Sequence, residues 1–351
     1  GEVLAESSGT EKFDPKALAM PREFVFENGL RVITLSTPTL ETARMNVKVR
    51  TGAQDDPVGY EGTAHFLEHM MFQGSIFKRG SKERAAKTDI MQTFKNWGGG
   101  INAGTAKKYT EFGFDSNGMR ILDENLEDAA DIVLDMVQHP RLKEEFVDSE
   151  RKVIKTELAT NKDPIGNMSL DAMYRSLYPD SGLGHSILGT NESLDKITAA
   201  TLREFWNKHY TPSNTTIFIQ GKASDQELLK IVTDRLTVLG ANQENKIERE
   251  PLKFQPNEIH IPFEKTEELC YRFAWETSCA HDSNINMREQ WILNALVTLL
   301  SNEGYIKMRD QNQLVYSFGA GKCGHNAIYF LFDSEQSPQI RSPRSAHSRE
   351  R

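Results

Sequence analysis

The sequence predicts an α+β fold in which layered helices cover a mainly antiparallel sheet, repeated as two related domains of which the second is incomplete. Strand-like and helical segments follow one another in mixed order rather than in strict alternation. A polar stretch at 241–255, rich in Asn, Gln, Glu, Lys and Pro, separates two series of elements that begin in a similar way. With 351 residues, the chain also exceeds the size at which a single core is typical.

The domain boundaries follow from the same pattern. We expect a flexible N-terminus at 1–18, a first domain at 19–240, a linker at 241–255, a partial second domain of the same fold type at 256–336 and a disordered tail at 337–351. The tail contains almost no apolar residue, so it cannot bury enough surface to fold. The long helices that complete the first domain have no counterpart in the second, which is therefore expected to be incomplete.

The first domain is expected to open with a hairpin. Glu23–Phe26 and Leu30–Leu35 are apolar runs joined by Asn28-Gly29, the strongest short-range signal for a tight turn between strands. Ala43–Arg50 alternates in polarity and predicts a third strand. Further strands are expected at Ile101–Thr105, Tyr109–Phe114 and Thr215–Gln220.

Apolar periodicity and capping residues predict the helices. The clearest is Asn117–Val137, whose apolar stripe ends at His139-Pro140. The other helices of the first domain are expected at Gly62–Phe72, Lys82–Trp97, Lys143–Asn161, a shorter segment ending at Leu177, Thr198–His209 and Asp225–Leu239. The second domain is expected to contain strands at Ile259–Phe263, Leu269–Trp275, Leu314–Ala320 and Ala327–Phe332 and a helix at Met287–Leu300.

Composition argues against several classes of protein. The net charge of −8 is unlike that of a nucleic-acid binder, which is usually basic. No apolar run reaches the length of about 18 residues needed to span a bilayer. The three cysteines are odd in number and form no CxxC pair, so a disulfide framework is not expected. The chain begins with Gly rather than Met, so we expect a processed N-terminus, and mitochondrial, other organellar and cytosolic locations all stay open.

One stretch carries recognisable chemistry, His65-Phe66-Leu67-Glu68-His69. If it is helical, His65, Glu68 and His69 fall at positions i, i+3 and i+4 and project from one face. Two imidazoles and a carboxylate converging there are the inner parts of a zinc site with its own base. A string of this form arises by chance in roughly one chain in a hundred of this size. Ordinary buried histidines are the alternative interpretation.

A catalytic zinc usually has three protein ligands, so two histidines need a third group. The predicted helix Lys143–Asn161 offers Glu150 and Glu157, which lie seven residues, or about two turns, apart on one face. Many other carboxylates are present, and for a random pair a solvated helix face is the more common situation. The residues alone therefore leave the third ligand open.

The segment His65–Met70, followed by Glu150-Arg151-Lys152-Val153-Ile154-Lys155-Thr156-Glu157, resembles the pitrilysin and mitochondrial-processing-peptidase family of inverted-zincin metallopeptidases. The resemblance covers roughly residues 20 to 335 and is closest to the processing-peptidase and bacterial two-domain type. It implies zinc ligation by His65, His69 and Glu157, a general base at Glu68 and an outer carboxylate at Glu150. The interval between His69 and Glu157 is about ten residues longer than the family pattern, and we place the extra length near Ile76–Thr88.

Two further segments carry the resemblance. Gly98–Thr105 resembles the family's Gly-Gly-x-x-Asn-Ala-x-Thr strand, which implies that Asn102 and Ala103 bind substrate backbone at a strand edge. A glycine-rich loop with a capping asparagine is the alternative. Arg309 and Tyr316 partly match the family's Arg-(x)6-Tyr element, which implies contacts with substrate and the oxyanion. A surface arginine and a core tyrosine are the alternative there.

The resemblance implies a zinc-dependent metalloendopeptidase that hydrolyses peptides or presequences, with Zn2+ as cofactor and the catalytic site in the domain at 19–240. The alternative is a non-catalytic or partner subunit of a family complex. Such members typically lose motif residues, whereas this chain keeps all the residues of the implied zinc site and base. Expected partners are a peptide or unfolded polypeptide substrate and a second family half, supplied by a homodimer, a heterodimer or a missing C-terminal part. Neither a nucleic acid nor a membrane span is expected.

Overall fold

The computed structural model describes residues 20–74, 78–79, 82–83, 87–114, 120–160, 164–241, 247, 253–259, 269–276, 287–313, 315, 317–323 and 327–334. The predictions for 1–18 and 337–351 lie outside these residues, and the predicted linker at 241–255 is described only in part. The predicted domain boundaries therefore stay predictions.

The elements of the first part of the chain are, in order, β1 (Arg22–Val25), β2 (Arg31–Ser36), β3 (Thr42–Val49), α1 (Thr63–Met71), β4 (Lys78–Arg79), β5 (Lys82–Glu83), α2 (Lys87–Asn96), β6 (Asn102–Thr105), β7 (Thr110–Gly113), β8 (Ile121–Leu122), α3 (Leu126–Gln138), α4 (Glu144–Ala159), α5 (Pro164–Leu177), α6 (Asn191–Lys196), α7 (Ala199–His209), β9 (Thr215–Gly221) and α8 (Asp225–Thr233). They are followed by β10 (Leu269–Glu276), α9 (Met287–Tyr305), β11 (Ser317–Cys323) and β12 (Ala327–Ser334).

The main sheet has seven strands in the order β1-β2-β9-β3-β7-β6, with β8 paired to the start of β3. β2 and β9 run parallel, whereas the other described pairs of this sheet are antiparallel. The apolar residues of the helices and of the inward-facing strand positions form one large core against this sheet. The predicted α+β class with a mainly antiparallel sheet is confirmed.

The hairpin β1–β2 forms where Asn28-Gly29 predicted it. Gly29 has a positive φ of 83°, which glycine adopts without steric cost. The Asn28 side chain donates hydrogen bonds to the carbonyls of Leu239 and Ala241, at 3.1 and 3.0 Å. The turn is therefore fixed both by its own backbone and by the segment that follows α8.

α1 is buried along almost its whole circumference. The side chains of Phe66, Leu67, Met70 and Met71 are inaccessible to solvent and belong to the main core. The helix packs against α4, α7 and β6. A helix that is buried all round must satisfy any polar group it carries inside the protein, which is the situation of a helix that presents ligands.

The start of α1 is held by a carboxylate from outside the helix. Asp56 accepts hydrogen bonds from the backbone N–H groups of Gly62 and Ala64, at 2.7 and 2.8 Å. These N–H groups at the helix start have no partner within the helix. Burial raises the pKa of Asp56 well above its usual value, against the opposing effect of the two backbone hydrogen bonds. Gly62 adopts a positive φ of 93°, which turns the chain into the helix.

Two predicted helices begin later than expected because residues near their predicted starts pair as strands. Lys82–Glu83 pairs with Lys78–Arg79 as the two-stranded sheet β4–β5, so α2 begins at Lys87. This sheet lies in the region where we placed the extra length relative to the family pattern. Ile121–Leu122 pairs with the start of β3, so α3 begins only at Leu126.

Two other differences concern the helices α6 and α8. α6 was not predicted, because it is a short helix whose signal is local capping. The Thr190 side chain accepts from the Ser193 N–H, and the Ser193 hydroxyl bonds back. α8 ends at Thr233 rather than Leu239, and a short 3-10 turn follows at Val238–Gly240.

A second sheet has three antiparallel strands in the order β10-β12-β11, and α9 packs against β11. The predicted strand, helix and strand-pair order is present here. α9 extends beyond the predicted end at Leu300 and continues as a π-helix at Ile306–Gln311. The predicted strand Leu314–Ala320 is described as a strand from Ser317 on, with Leu314 and Tyr316 outside the described residues, and the strand predicted at Ile259–Phe263 lies mostly outside them.

We expect the turn at Gly189, beside the start of α1, to tolerate substitution poorly. Gly189 and Gly98 share a positive φ, of 73° and 76°, but a Cβ at Gly189 would lie 2.3 Å from the Glu61 carbonyl oxygen. A Cβ at Gly98 meets no atom of the described residues within 4 Å. We expect Gly98→Ala to cost about 1 kcal/mol from its φ alone, and Gly189→Ala to cost about 2 kcal/mol more from the clash. Urea unfolding measures both, and equal losses would contradict the contact.

Candidate metal centre

The two histidines and the glutamate of the motif lie on one face of α1, as the helical spacing predicts. His65 and Glu68 are buried, and His69 is partly buried. The imidazole centroids of His65 and His69 are 4.7 Å apart, with the rings inclined at 71°. The two rings therefore present their outer nitrogens to the same small region.

α4 brings Glu157 to the same region. Its Oε2 atom lies 3.8 Å from Nε2 of His65 and 3.5 Å from Nε2 of His69. Val147 and Ile154 are fully buried and seat α4 on the core, which fixes the height of Glu157 along α1. The Glu157 side chain is 47% exposed, so solvent reaches the three groups from the side of Glu157.

These three side chains fit a zinc ion. One donor atom from each of His65, His69 and Glu157 lies within 4.8 Å of the other two. Two imidazole nitrogens and one carboxylate oxygen are a donor set of catalytic zinc sites, which keep a fourth position for water or substrate. Ligand atoms bound about 2.0 to 2.2 Å from one zinc lie roughly 3.3 to 3.6 Å apart, close to the separations seen here.

His65 is kept in its neutral form. Burial lowers its pKa to about 3, and the neighbouring His69 adds to the effect. A neutral imidazole has a lone pair to offer a metal, so His65 needs no deprotonation at neutral or mildly acid pH. Nδ1 of His65 is buried and has no hydrogen-bond partner among the described residues, so helix packing orients this ring.

His69 is oriented by hydrogen bonding instead. Its Nδ1 lies 3.0 Å from Oε2 of Glu150, which leaves Nε2 directed at Glu157. Oε1 of Glu150 accepts a hydrogen bond of 2.5 Å from Nε2 of Gln73. The structure thus brings Glu150 to the position expected of an outer carboxylate. Gln73 had no assigned role in the sequence, and it lies two residues beyond the end of α1, where helical spacing no longer applies.

Glu68 faces the sheet. The Thr105 hydroxyl, at the end of β6, donates a hydrogen bond of 2.7 Å to Oε2 of Glu68. Burial raises the pKa of the Tyr210 phenol, and the charge of Glu68 raises it further. Sequence reasoning included Thr105 in the glycine-rich segment without a role. Thr105 and Ala103 lie two residues apart in a strand, so their side chains are on the same face. This spacing was the signal in the sequence.

β6 ends the described strand order of the main sheet, because β7 is its paired neighbour on one side. Asn102 is exposed at the start of β6, and Ala103 is partly buried. The glycine-rich segment is therefore a loop followed by a strand, with Asn102 and Ala103 on the edge that lies beside α1. This arrangement agrees with the strand expected from the sequence.

The second predicted pair is only half described. Arg309 lies in the π-helical segment Ile306–Gln311, where its guanidinium bonds the Tyr305 hydroxyl and stacks near the Tyr305 ring. Tyr316 lies outside the described residues. A role for Arg309 and Tyr316 at the metal centre stays a prediction.

Comparison with known families agrees with this arrangement. Residues 31–191 match the family described as insulinase (peptidase family M16), and residues 196–342 match the peptidase M16 inactive domain. The chain belongs to the peptidase M16 family. The first matched segment contains all the candidate metal-binding residues, and Arg309 falls in the second. The resemblance inferred from the motifs is confirmed.

Several curated relatives are named zinc proteases. An uncharacterized zinc protease of Streptomyces coelicolor is 31% identical over 220 residues, which are 63% of this chain and 45% of that protein. One of Bacillus subtilis is 30% identical over 206 residues, which are 59% of this chain and 47% of that protein. The probable mitochondrial-processing peptidase subunit beta of Arabidopsis thaliana is 28% identical over 237 residues, 67% of this chain and 42% of that protein. This chain thus spans about half the length of these relatives. Together with the His-His-Glu group, their names confirm the predicted zinc cofactor at the level of the family.

Solved structures share the fold. Pitrilysin aligns with a TM-score of 0.67 at 20% identity, over 91% of this chain and 34% of that one. A protease from Helicobacter pylori aligns with a TM-score of 0.75 at 18% identity, over 93% of this chain and 77% of that one.

The two M16 segments meet between residues 191 and 196, yet β9 at 215–221 lies inside the main sheet. Within the described residues, no helix combines the length and apolarity needed to cross a bilayer.

The low pKa of His65 predicts how the metal-free M16 chain responds to acid. The unfolded chain takes up a proton at His65 near pH 6.5, but the folded chain does so only near pH 3. The unfolded state therefore binds more protons as pH falls below 6.5, and the folded state loses stability. We expect the free energy of unfolding of wild type to fall by about 3 kcal/mol relative to His65→Gln between pH 7.5 and pH 4.5. Urea titrations in chelator measure this, and parallel pH profiles for the two proteins would refute it.

Glu157 is expected to be needed for tight zinc binding. Glu157→Gln keeps the shape of the side chain but removes its charge, so we expect the zinc dissociation constant to rise by more than about 100-fold, the upper figure for outer partners of a ligand. Competition with a chromophoric chelator measures the constant. Glu145→Gln is the matched control, because Glu145 lies on the same helix with its side chain 66% exposed. Equal affinities for both variants would remove Glu157 from the ligand set.

Proposed function

We propose that this chain carries the catalytic, zinc-binding site of a metalloendopeptidase that hydrolyses peptides or presequences. The observation that supports this best is the convergence of the three candidate ligands within 4.8 Å, with Glu68 on the same face of α1. The zinc protease names of its M16 relatives agree with this reaction class. His65, His69 and Glu157 are the proposed ligands.

The proposed chemistry divides between the metal and the protein. When bound, zinc supplies the Lewis acidity that activates a water molecule and polarises the scissile carbonyl. Glu68 accepts the proton of the attacking water and passes it to the leaving amine, the role of a general base that becomes a general acid. The Thr105 hydroxyl donates to Oε2 of Glu68 and so orients the carboxylate for proton transfer. Glu150 keeps His69 in the tautomer with Nε2 free.

Substrate is proposed to bind along β6. An extended peptide can add to a strand whose second edge is unpaired, and its backbone then pairs with the N–H and C=O groups of that strand. Asn102 is exposed at this position, where its amide can bond a peptide carbonyl, and Ala103 contributes backbone groups. Arg309 and Tyr316 are proposed to contact substrate and the oxyanion, on the strength of the partial Arg-(x)6-Tyr match alone.

A second family half is part of the proposal. The chain spans about half the length of its curated relatives, and one of these relatives is named as a subunit of a peptidase. Within the described part of the chain, Glu157 is partly exposed and β6 is an edge strand, so the metal centre is accessible from one side there. A homodimer, a heterodimer or further C-terminal sequence would enclose it.

One observation favours the alternative of a non-catalytic or partner subunit. Residues 196–342 match a domain that is described as inactive. That segment excludes Glu68 and all three proposed ligands, which lie within the match to the insulinase segment at 31–191. The inactive description therefore bears on the second domain more than on the metal centre, and we favour the enzyme.

Replacing Glu68 tests the proposal directly. Glu68→Gln keeps the size of the side chain and its contact with Thr105 but removes the proton acceptor. We expect hydrolysis of an internally quenched peptide to fall by about 100- to 10,000-fold, the usual contribution of a general base. Bound zinc, measured by atomic absorption, should stay at the wild-type level, because Glu68 is not a proposed ligand.

Glu145→Gln serves again as the surface control and should cleave at the wild-type rate. Equal cleavage by wild type and Glu68→Gln would rule out Glu68 as the base. A wild-type chain that binds zinc and cleaves no peptide, alone or with an added second half, would establish the non-catalytic alternative instead.

A further inference from the structure

Gln73 occupies a defined place at the end of α1. It follows the helix, which ends at Met71, by two residues, and its backbone N–H donates to the Met70 carbonyl at 3.0 Å. The next residue, Gly74, has a positive φ of 94°, and its carbonyl accepts from the Arg141 N–H at 3.1 Å. The backbone is thus held on both sides of Gln73, so its side chain starts from a fixed point.

From that point the Gln73 side chain reaches back along the helix face. Its Nε2 donates to Oε1 of Glu150 at 2.5 Å, while Oε2 of Glu150 lies 3.0 Å from Nδ1 of His69. The two oxygens of one carboxylate therefore contact two groups of the same helix region. With one oxygen bonded a carboxylate can still turn about its terminal bond, and a second bond on the other oxygen fixes its plane.

Burial makes these contacts consequential. Glu150 is 5% exposed and Gln73 is 9% exposed. Water has little access there to replace a lost hydrogen bond, so removing the Gln73 amide weakens the hold on Oε1 of Glu150 at a cost in free energy. The donor is also neutral. An amide fixes the Glu150 carboxylate without cancelling the charge that acts on His69, whereas a cation at this position would compete with the imidazole for that charge.

We propose that Gln73 is a positioning residue of the metal centre, which acts through Glu150 to hold His69 with Nε2 directed at the metal. This inference rests on the proposed zinc site and adds an outer member to it. It does not depend on whether the chain hydrolyses peptides. Its consequence is a change in zinc affinity and in ligand geometry.

The test compares zinc binding by full-length variants. Gln73→Met keeps the length of the side chain and removes the donor, and we expect the zinc dissociation constant to rise about tenfold, the lower figure for the loss of an outer partner. Gln73→Glu places a second carboxylate against Glu150, and a larger rise is expected because like charges repel there. Gln92→Met is the matched control, since Gln92 is exposed and bonds Asn96 on α2. Its dissociation constant should equal that of wild type.

Two readouts separate positioning from simple destabilisation. In the cobalt-substituted protein, Gln73→Met should change the visible d–d bands, which report ligand geometry, whereas Gln92→Met should not. In a double-mutant cycle, Gln73→Met should cause no further loss of affinity in a Glu150→Gln background, because the effect passes through Glu150. Wild-type affinity and spectrum in Gln73→Met, or additive losses in the cycle, would overturn the role of Gln73. Absence of tight zinc binding in wild type would instead overturn the proposed zinc site.

Discussion

The fixed separation of α1 and α4 is the constraint on which the metal centre depends. α1 supplies two imidazoles and α4 supplies the carboxylate, so a metal can be held only if the helices keep one relative position. Apolar packing sets that position, with α1 buried all round and α4 seated through Val147 and Ile154. Protein interiors are packed as densely as organic crystals, so a shift of either helix has no free volume to enter. The contact between Glu150 and His69 crosses the same interface and adds orientation to distance.

Three carboxylates surround α1 in a similar chemical setting. Asp56 accepts backbone N–H groups, Glu68 accepts the Thr105 hydroxyl, and Glu150 accepts the Gln73 amide. Each of these donors is neutral, so the negative charge is oriented by the bond and is not cancelled by it. A divalent cation is usually the largest local charge in such a site. Glu150 contacts the proposed ligand His69 and Glu68 lies beside it in α1, so these two carboxylates favour a bound dication, and the buried neutral imidazole of His65 is compatible with it.

Features fixed within a few residues could be predicted from the sequence, whereas those fixed by distant contacts could not. The helical spacing of His65, Glu68 and His69 is local, and so is the turn at Asn28-Gly29. The strand at Ile121–Leu122 exists because it pairs with β3, which is far away in sequence, so its apolar pattern was attributed to the following helix. Glu157 could be singled out only through the family pattern, because nothing in α4 itself marks which carboxylate meets α1. The bond from Gln73 joins residues 77 apart, a separation that no local signal reports.

The place of β9 has a consequence for the order of events during synthesis. β9 lies between β2 and β3 and pairs with both, yet it is translated after all the other strands of the main sheet and after α7. Before Thr215 has been synthesised, no strand connects β2 to β3. The sheet beneath α1 is therefore still incomplete. Chains fold largely as domains once their segments have emerged. A nascent chain that has completed only the insulinase match at 31–191 therefore already contains every proposed ligand, on α1 and α4, before the strand that joins β2 to β3 has been made.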